Sequence, residues 1–320
     1  MPILTESLYK PHPFLKNAHI QTIYPALFRR VKGVRYSREK LETPDGDFLD
    51  LDWSTLRSKK LALISHGLEG STDQPYVKGM VKSLNENGWD VLAWNFRGCG
   101  GRPSRQIHSY HSGKSEDLDH VVEHVLRKNY KSVTLIGFSV GGNITLKYLG
   151  EKGEGLDPRL ESSVTFSVPC NLKSTSYKLA TLENRIYMEW FLMSLRKKVK
   201  QKENEMKLFG INTKKTYLIS TFEEFDNRFT APLNGFEDAD DYWEKSSSLY
   251  YLSEIKIPSL LVSALDDPFL TPDCFPVEEA KNNECLFLET PSCGGHVGFV
   301  SPNLHYWAEE RAISFLSDIK

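Results

Sequence analysis

The sequence predicts an α/β protein with a mostly parallel sheet and helices on both of its faces. Three observations carry this reading. Short β-rich runs alternate with longer helical patterns along most of the chain. A Gly-x-Ser-x-Gly pentapeptide stands between an apolar run and a helical pattern. The 320 residues, 40% of them hydrophobic, supply enough apolar material for one sizeable core.

The elements follow in chain order. Residues 33–53 place the turn Pro44-Asp45-Gly46 between two extended stretches, the pattern of an antiparallel hairpin at a sheet edge. Parallel strands are expected at 61–65, 90–95, 132–138, 163–168, 259–265 and 285–290. Helical patterns lie between them at 74–87, 115–129 and 143–151. A further one at 304–317 sets Trp307, Ile313, Phe315 and Leu316 among acids and an arginine, which makes it an amphipathic closing helix. No internal repeat or low-complexity segment interrupts the pattern.

One stretch breaks the alternation. Residues 170–256 separate two expected strands by far more than a crossover connection needs, so they must hold structure of their own, read here as a mainly helical cap. Within it Leu182, Ile186, Trp190, Phe191 and Leu195 recur at helical spacing, and Arg196, Lys197, Lys198, Lys200 and Lys202 follow. Such a helix can touch anionic lipid, or it can be a cap helix ending in a solvated cationic turn. The second reading is preferred, because the apolar residues are also needed to wall a pocket.

Composition narrows the function classes. Forty basic against 42 acidic side chains give a net charge of −2, which provides no field for holding nucleic acid by its phosphates. Apolar runs stop at about four residues, too short to span a bilayer. The first sixteen residues carry Glu6, Lys10, His12 and prolines in place of the apolar stretch of a signal peptide. The five cysteines are an odd number with no C-x-x-C pair. Free thiols and a cytoplasmic location are expected, with Cys293 a buried or incidental thiol.

The chemistry concentrates in four places. Gly137-Phe138-Ser139-Val140-Gly141 follows an apolar strand and precedes a helix, the context in which a serine on a tight turn becomes an exposed nucleophile. A serine hydroxyl needs a base to take its proton and a carboxylate to orient that base. Asp266-Asp267-Pro268 supplies acids where a strand ends; Asp267 is chosen because Pro268 fixes the turn there, and Asp266 stays open as the alternative. Cys293-Gly294-Gly295-His296 then puts a histidine on a glycine-flexible loop after the last strand. His66-Gly67-Leu68-Glu69-Gly70 ends the first parallel strand, so the backbone N–H groups of Leu68 and Val140 are the expected oxyanion donors.

The remaining histidines are assigned no chemistry. His120 and His124 stand four apart on a helix without a third ligand, and they read, like His108 and His111, as solvated residues. His305 reads as a packing or surface residue. No metal is expected.

The segments 66–70, 137–143, 266–269 and 294–299, together with Asn95-Phe96-Arg97-Gly98-Cys99-Gly100, resemble the YheT-like branch of the α/β-hydrolases. Asn17-Ala18-His19-Ile20-Gln21-Thr22 and Arg228-Phe229-Thr230-Ala231-Pro232-Leu233-Asn234-Gly235-Phe236 look like that branch too, and they are far more specific than Gly-x-Ser-x-Gly. The resemblance implies one α/β-hydrolase domain over residues 1–320 with the cap at 170–256, a serine triad, no cofactor, and action on esters or lipids. Family members include bacterial esterases, yeast ethanol acyltransferases and mammalian lipid hydrolases. The mammalian members look membrane-anchored at the amino terminus, and membrane residence is not carried over to this chain. His19 and Gln21 are expected to pack the amino-terminal arm. Arg97 is expected either to meet a substrate anion or to order its loop through an ion pair.

The expected activity is ester hydrolysis through an acyl-enzyme, with a small-molecule acyl ester as substrate and peripheral membrane contact left open. The aromatic residues Tyr187, Trp190, Phe191, Phe225, Phe229, Phe236, Tyr242 and Trp243 suggest an apolar acyl pocket and short- to medium-chain esters. Two rivals are an acyltransferase using an alcohol acceptor and a non-catalytic binding protein of the same shape.

Overall fold

The computed structural model describes residues 3–4 and 7–319; residues 1–2, 5–6 and 320, among them Glu6 of the amino-terminal reading, lie outside the described residues. The strands are β1 (Ile3–Leu4), β2 (Ser37–Glu42), β3 (Phe48–Ser54), β4 (Lys60–Ser65), β5 (Asp90–Asn95), β6 (Ser132–Phe138), β7 (Leu160–Phe166), β8 (Ser259–Val262) and β9 (Leu286–Glu289). They form a nine-stranded sheet in the order β1-β9-β8-β7-β6-β4-β5-β3-β2. Every pairing is parallel except β2 with β3 and β3 with β5. The expected hairpin is therefore present, its turn closed by a Thr43 N–H bond to the Asp47 carbonyl at 3.0 Å.

Twelve helices accompany the described strands: α1 (Ala18–Phe28), α2 (Pro75–Glu86), α3 (Ser115–Leu126), α4 (Val140–Lys152), α5 (Leu172–Leu179), α6 (Arg185–Gln201), α7 (Glu203–Leu208), α8 (Phe222–Phe225), α9 (Ala231–Asn234), α10 (Ala239–Ser246), α11 (Val277–Asn282) and α12 (Trp307–Asp318). Strand periodicity explains how they share the sheet. On β4, Leu61 and Leu63 join Leu118 of α3 and Ile144 of α4 on one face. Ala62 and Ile64 join Met80 of α2 and Phe315 of α12 on the other. Two cores result, one on each side of the sheet.

The boundaries differ from the sequence reading in informative ways. β8 stops at Val262, and residues 263–265 already bend toward the acids. α4 begins at Val140, immediately after the serine, and α12 begins at Trp307. α1 has no counterpart among the expected helices. Its N-cap Asn17 accepts from the His19 and Ile20 N–H groups, and Pro25 sits inside it, which obscures its period.

Residues 170–256 contain no sheet strand and fold as α5 to α10 around a third apolar cluster that includes Leu192, Phe225, Phe229, Tyr242 and Trp243. One sequence expectation is corrected here. Leu182, Ile186 and Trp190 turn outward; they are 84%, 76% and 63% exposed, while Phe191 and Leu195 turn inward to line the cavity. A 3.6-residue period locates an apolar stripe, and a helix this apolar can present two of them.

Candidate active site

Ser139 occupies the turn between β6 and α4 with φ 53° and ψ −123°, a backbone conformation that non-glycine residues rarely hold. Its N–H bonds the Phe166 carbonyl at 2.9 Å, and its carbonyl accepts from Asn143 N–H at 3.0 Å, so both neighbours clamp the strained residue. The flanking glycines answer to close approach. A Cβ on Gly137 would meet Gly142 Cα at 2.5 Å, and one on Gly141 would collide with the Ser65 and His66 carbonyls.

His296 reaches Ser139 from the loop after β9. Its Nε2 lies 2.9 Å from Ser139 Oγ, and its Nδ1 lies 2.8 Å from Asp267 Oδ2 and 3.1 Å from Oδ1. With Nδ1–H donating to the carboxylate, Nε2 is free to accept the serine proton. The Asp267 side chain is fully buried and also accepts from Phe269 N–H at 2.9 Å. The Phe269 ring lies over the imidazole, with centroids 4.1 Å apart. Asp266, the alternative acid, points elsewhere: its Oδ1 accepts from Gly295 N–H at 3.0 Å and so shapes the histidine loop, and burial raises its carboxyl above the ordinary range.

The amino-terminal arm completes that loop. Thr22 Oγ1 accepts from His296 N–H at 2.9 Å, and Gln21, fully buried, bonds Val300 N–H at 2.9 Å and the Tyr9 hydroxyl at 2.9 Å. Nothing in the sequence singles out Thr22 beyond its place beside Gln21 in the 17–22 segment.

Leu68 and Val140 both line the cavity that Ser139 and His296 face. Val140 is the first residue of α4, so its N–H has no intrahelical partner and carries the positive end of the helix dipole. In the loop after β4, the Gly67 N–H is held by the Tyr76 hydroxyl at 2.9 Å and the Glu69 N–H by the Tyr110 hydroxyl at 2.8 Å. The Leu68 N–H between them has no hydrogen-bond partner among the described residues. His66 braces the same loop. Its Nδ1 donates to the Gly67 carbonyl at 2.7 Å, its Nε2 accepts from Phe96 N–H at 3.1 Å, and burial lowers its pKa to about 4, so it stays neutral.

The cleft holds about 810 Å³ of space, part of it open solvent, and Ser139 and His296 stand in its wall. Of the aromatics expected there, Phe191, Phe225, Tyr242 and Trp243 line it, joined by Phe222 and Phe269. Tyr187, Trp190, Phe229 and Phe236 do not. His111, expected to be solvated, is buried in this wall, edge-on to Phe236 and Tyr242, with burial lowering its pKa to about 3. Asp226, to which the sequence assigns no role, also lines the cavity. It accepts from Thr230 Oγ1 at 2.6 Å and Trp243 Nε1 at 2.9 Å, and burial pushes its carboxyl up to about 7.

Other sequence candidates stand apart from this cavity. Arg97 donates to both oxygens of Asp117 at 2.7 Å and to Asp45 at 2.5 Å, so its guanidinium orders the loop and is not free to meet a substrate anion. His108 pairs with Asp45, His124 with Glu39, and His120 with the Glu42 carbonyl. No group of three or more potential metal ligands occurs among the described residues.

The fold and the Ser139–His296–Asp267 array define a protein of the α/β-hydrolase class. The alpha/beta hydrolase fold family matches residues 63–302, and the chain belongs to that family. It is similar to YheT of Escherichia coli (strain K12), named as a candidate esterase, at 34% identity over 94% of this chain and 90% of that one. Human phospholipase ABHD3 is 29% identical over 93% of this chain and 75% of its own. The monoacylglycerol lipase of Saccharomyces cerevisiae is 28% identical over 86% and 62%. Among solved structures, a Pyrococcus furiosus esterase superposes with a TM-score of 0.60 at 20% identity, covering 91% of this chain and 95% of that one, which shows the shared fold.

Proposed function

We propose that the protein is a serine hydrolase that cleaves carboxylic esters of short- to medium-chain acyl groups or lipids through an acyl-enzyme. One observation carries the reading: a continuous hydrogen-bonded line from Ser139 Oγ through His296 to the buried Asp267, opening on a largely apolar cavity. Relatives named phospholipase and monoacylglycerol lipase support the substrate class.

In this scheme Ser139 Oγ attacks the ester carbonyl carbon as its proton passes to His296 Nε2. The imidazolium that forms is stabilised by Asp267, and the carbonyl oxygen, now an oxyanion, sits between the Leu68 and Val140 N–H groups. The bond from carbonyl carbon to alcohol oxygen breaks, and His296 returns the proton to the departing alcohol. Water then attacks the Ser139 ester with His296 again as base, which frees the acid and restores the serine. The layer α5 to α10 acts as the cap that shapes the acyl site. The five cysteines, all free thiols, support a reducing cytoplasmic location.

Labelling with a fluorophosphonate probe tests the nucleophile, and hydrolysis of a p-nitrophenyl ester chain-length series tests the pocket. Wild type labels, Ser139→Ala does not, and the series shows an optimum. An unlabelled wild type would leave the non-catalytic reading standing. Added ethanol that diverts product into ethyl esters would favour the acyltransferase.

A further inference from the structure

Two helices beside the site carry apolar residues that nothing covers. On α6 and the turn before it, Leu182, Ile186, Trp190 and Met193 are each more than 60% exposed, and their spacing sets them along one side of the helix. On α1, Ile20 and Ile23 are 45% and 37% exposed. The helices meet where His19 Nδ1 and the Tyr187 hydroxyl approach to 3.0 Å, the two rings stacked 13° from parallel. Both helices also touch the catalytic loops. Thr22 of α1 holds the His296 N–H, and Tyr187 of α6 packs its ring edge-on to Phe269, which covers His296.

The charges around these stripes are uneven. The acids of this part of the chain are already paired, Glu183 with Lys178 and Glu189 with Arg196. Lys16, Arg185, Lys197 and Lys200 are exposed; Arg185 and Lys200 act on Glu189 and Glu203, which are already bridged at close range by Arg196 and Lys207. The result is an apolar surface with cations left over, on a protein whose net charge is −2.

We propose that the exposed faces of α1 and α6 dock the protein on an anionic lipid surface, with the inner side of α6 turned to the cavity. Exposed apolar side chains at this density are costly in water and gain by entering the boundary between headgroups and acyl chains. These exposed lysines and the arginine add attraction to anionic headgroups that acts within a Debye length. Because Phe191 and Leu195 line the cavity from the inner side of α6, a docked helix would separate bilayer from acyl site by its own width. The docking itself needs no catalysis; that the cavity then receives an ester from the bilayer rests on the hydrolase reading above.

Trp190 makes a built-in reporter, because Trp53, Trp89, Trp94, Trp243 and Trp307 are all buried. The test is co-sedimentation of the full chain with phosphatidylcholine vesicles, with and without phosphatidylglycerol, read together with tryptophan emission. Wild type is expected to sediment with the anionic vesicles, to shift its emission to the blue, and to lose both as salt is raised. Leu182→Ser/Ile186→Ser/Met193→Ser and Lys197→Glu/Lys200→Glu should each weaken partitioning by about tenfold or more. Both should hydrolyse a water-soluble p-nitrophenyl ester at the wild-type rate, which also shows that they fold. Ser139→Ala should bind vesicles like wild type, so a failed hydrolase reading leaves this one intact. Absence of both sedimentation and emission shift would overturn the proposal. So would a concentration-dependent dimer in lipid-free sedimentation velocity that the apolar triple variant abolishes, since the stripe would then face a second copy.

Discussion

Lys198 Nζ, on α6, lies 2.7 Å from Glu69 Oε1, on the loop that follows β4. Glu69 is the residue after Leu68, and its carboxylate is only 3% exposed, held also by the Tyr110 and Ser194 hydroxyls. The helical layer is thereby tied to the backbone that presents the proposed oxyanion donor. Lys198→Met leaves that carboxylate buried without its cation, which should cost about 3 kcal/mol in urea unfolding. Adding Glu69→Gln should return most of the loss. Ester turnover by the single variant should fall in kcat more than in KM, because the Leu68 N–H is displaced while the cavity walls remain.

The two adjacent acids should separate cleanly. Asp267→Asn leaves His296 in the wrong tautomer and should lower kcat by roughly 10³- to 10⁴-fold. Asp266→Asn keeps an oxygen that accepts from the Gly295 N–H and removes only charge, so its effect should stay within about tenfold. A larger loss at Asp266 than at Asp267 would reverse the assignment.

The backbone of Ser139 predicts an inversion of the usual glycine penalty. At φ 53° and ψ −123°, glycine fits and alanine is strained. Ser139→Gly and Ser139→Ala should both be inactive, but the glycine variant should be the more stable by about 1 kcal/mol in denaturant unfolding, opposite to the order at ordinary helix or strand positions.

Three buried groups set opposed pH dependences. His66 and His111 titrate in the folded protein at about 4 and about 3, against 6.5 when free, so the unfolded chain binds more protons in between. Their contribution is present above pH 6.5 and is lost as pH falls toward 4 for His66 and toward 3 for His111. Asp226 runs the other way. Its folded pKa of about 7 lies above its ordinary value of 3.8, so the folded protein holds the extra proton and stability drops as pH rises from 3.8 to 7. Asp226→Asn removes only this second dependence. Its melting temperature relative to wild type should climb between pH 4 and pH 7 and level off above, by an amount equivalent to a few kcal/mol at most.

Much of the molecule is legible in its residues alone. β4, β5 and β6 declare themselves by apolar runs that fill both sheet faces, and the serine turn by glycines whose missing Cβ atoms the elbow demands. Other features leave no local trace. α1 hides its period behind Pro25, and its cap is a single Asn17. Glu69 and Asp226 look like ordinary loop and helix acids until Lys198, Tyr110, Trp243 and Thr230 arrive from elsewhere in the fold to bury them. His111 reads as solvated because its neighbours in sequence are polar, whereas its neighbours in space are Phe236 and Tyr242.

By itself, then, the sequence determined the central strands of the sheet, its edge hairpin and the strained serine turn, because these follow from side-chain alternation and from backbone sterics acting over a few residues, whereas the short edge strand β1 was not foreseen. Only the tertiary structure decided that Asp267 and not Asp266 faces His296, that Phe191 lines the cavity while Trp190 faces solvent, and that Arg97 is consumed by carboxylates. Each of those choices is made by a partner far away in sequence. A side chain reaches only a few ångströms, so the order in which the strands pair settles which partner it meets.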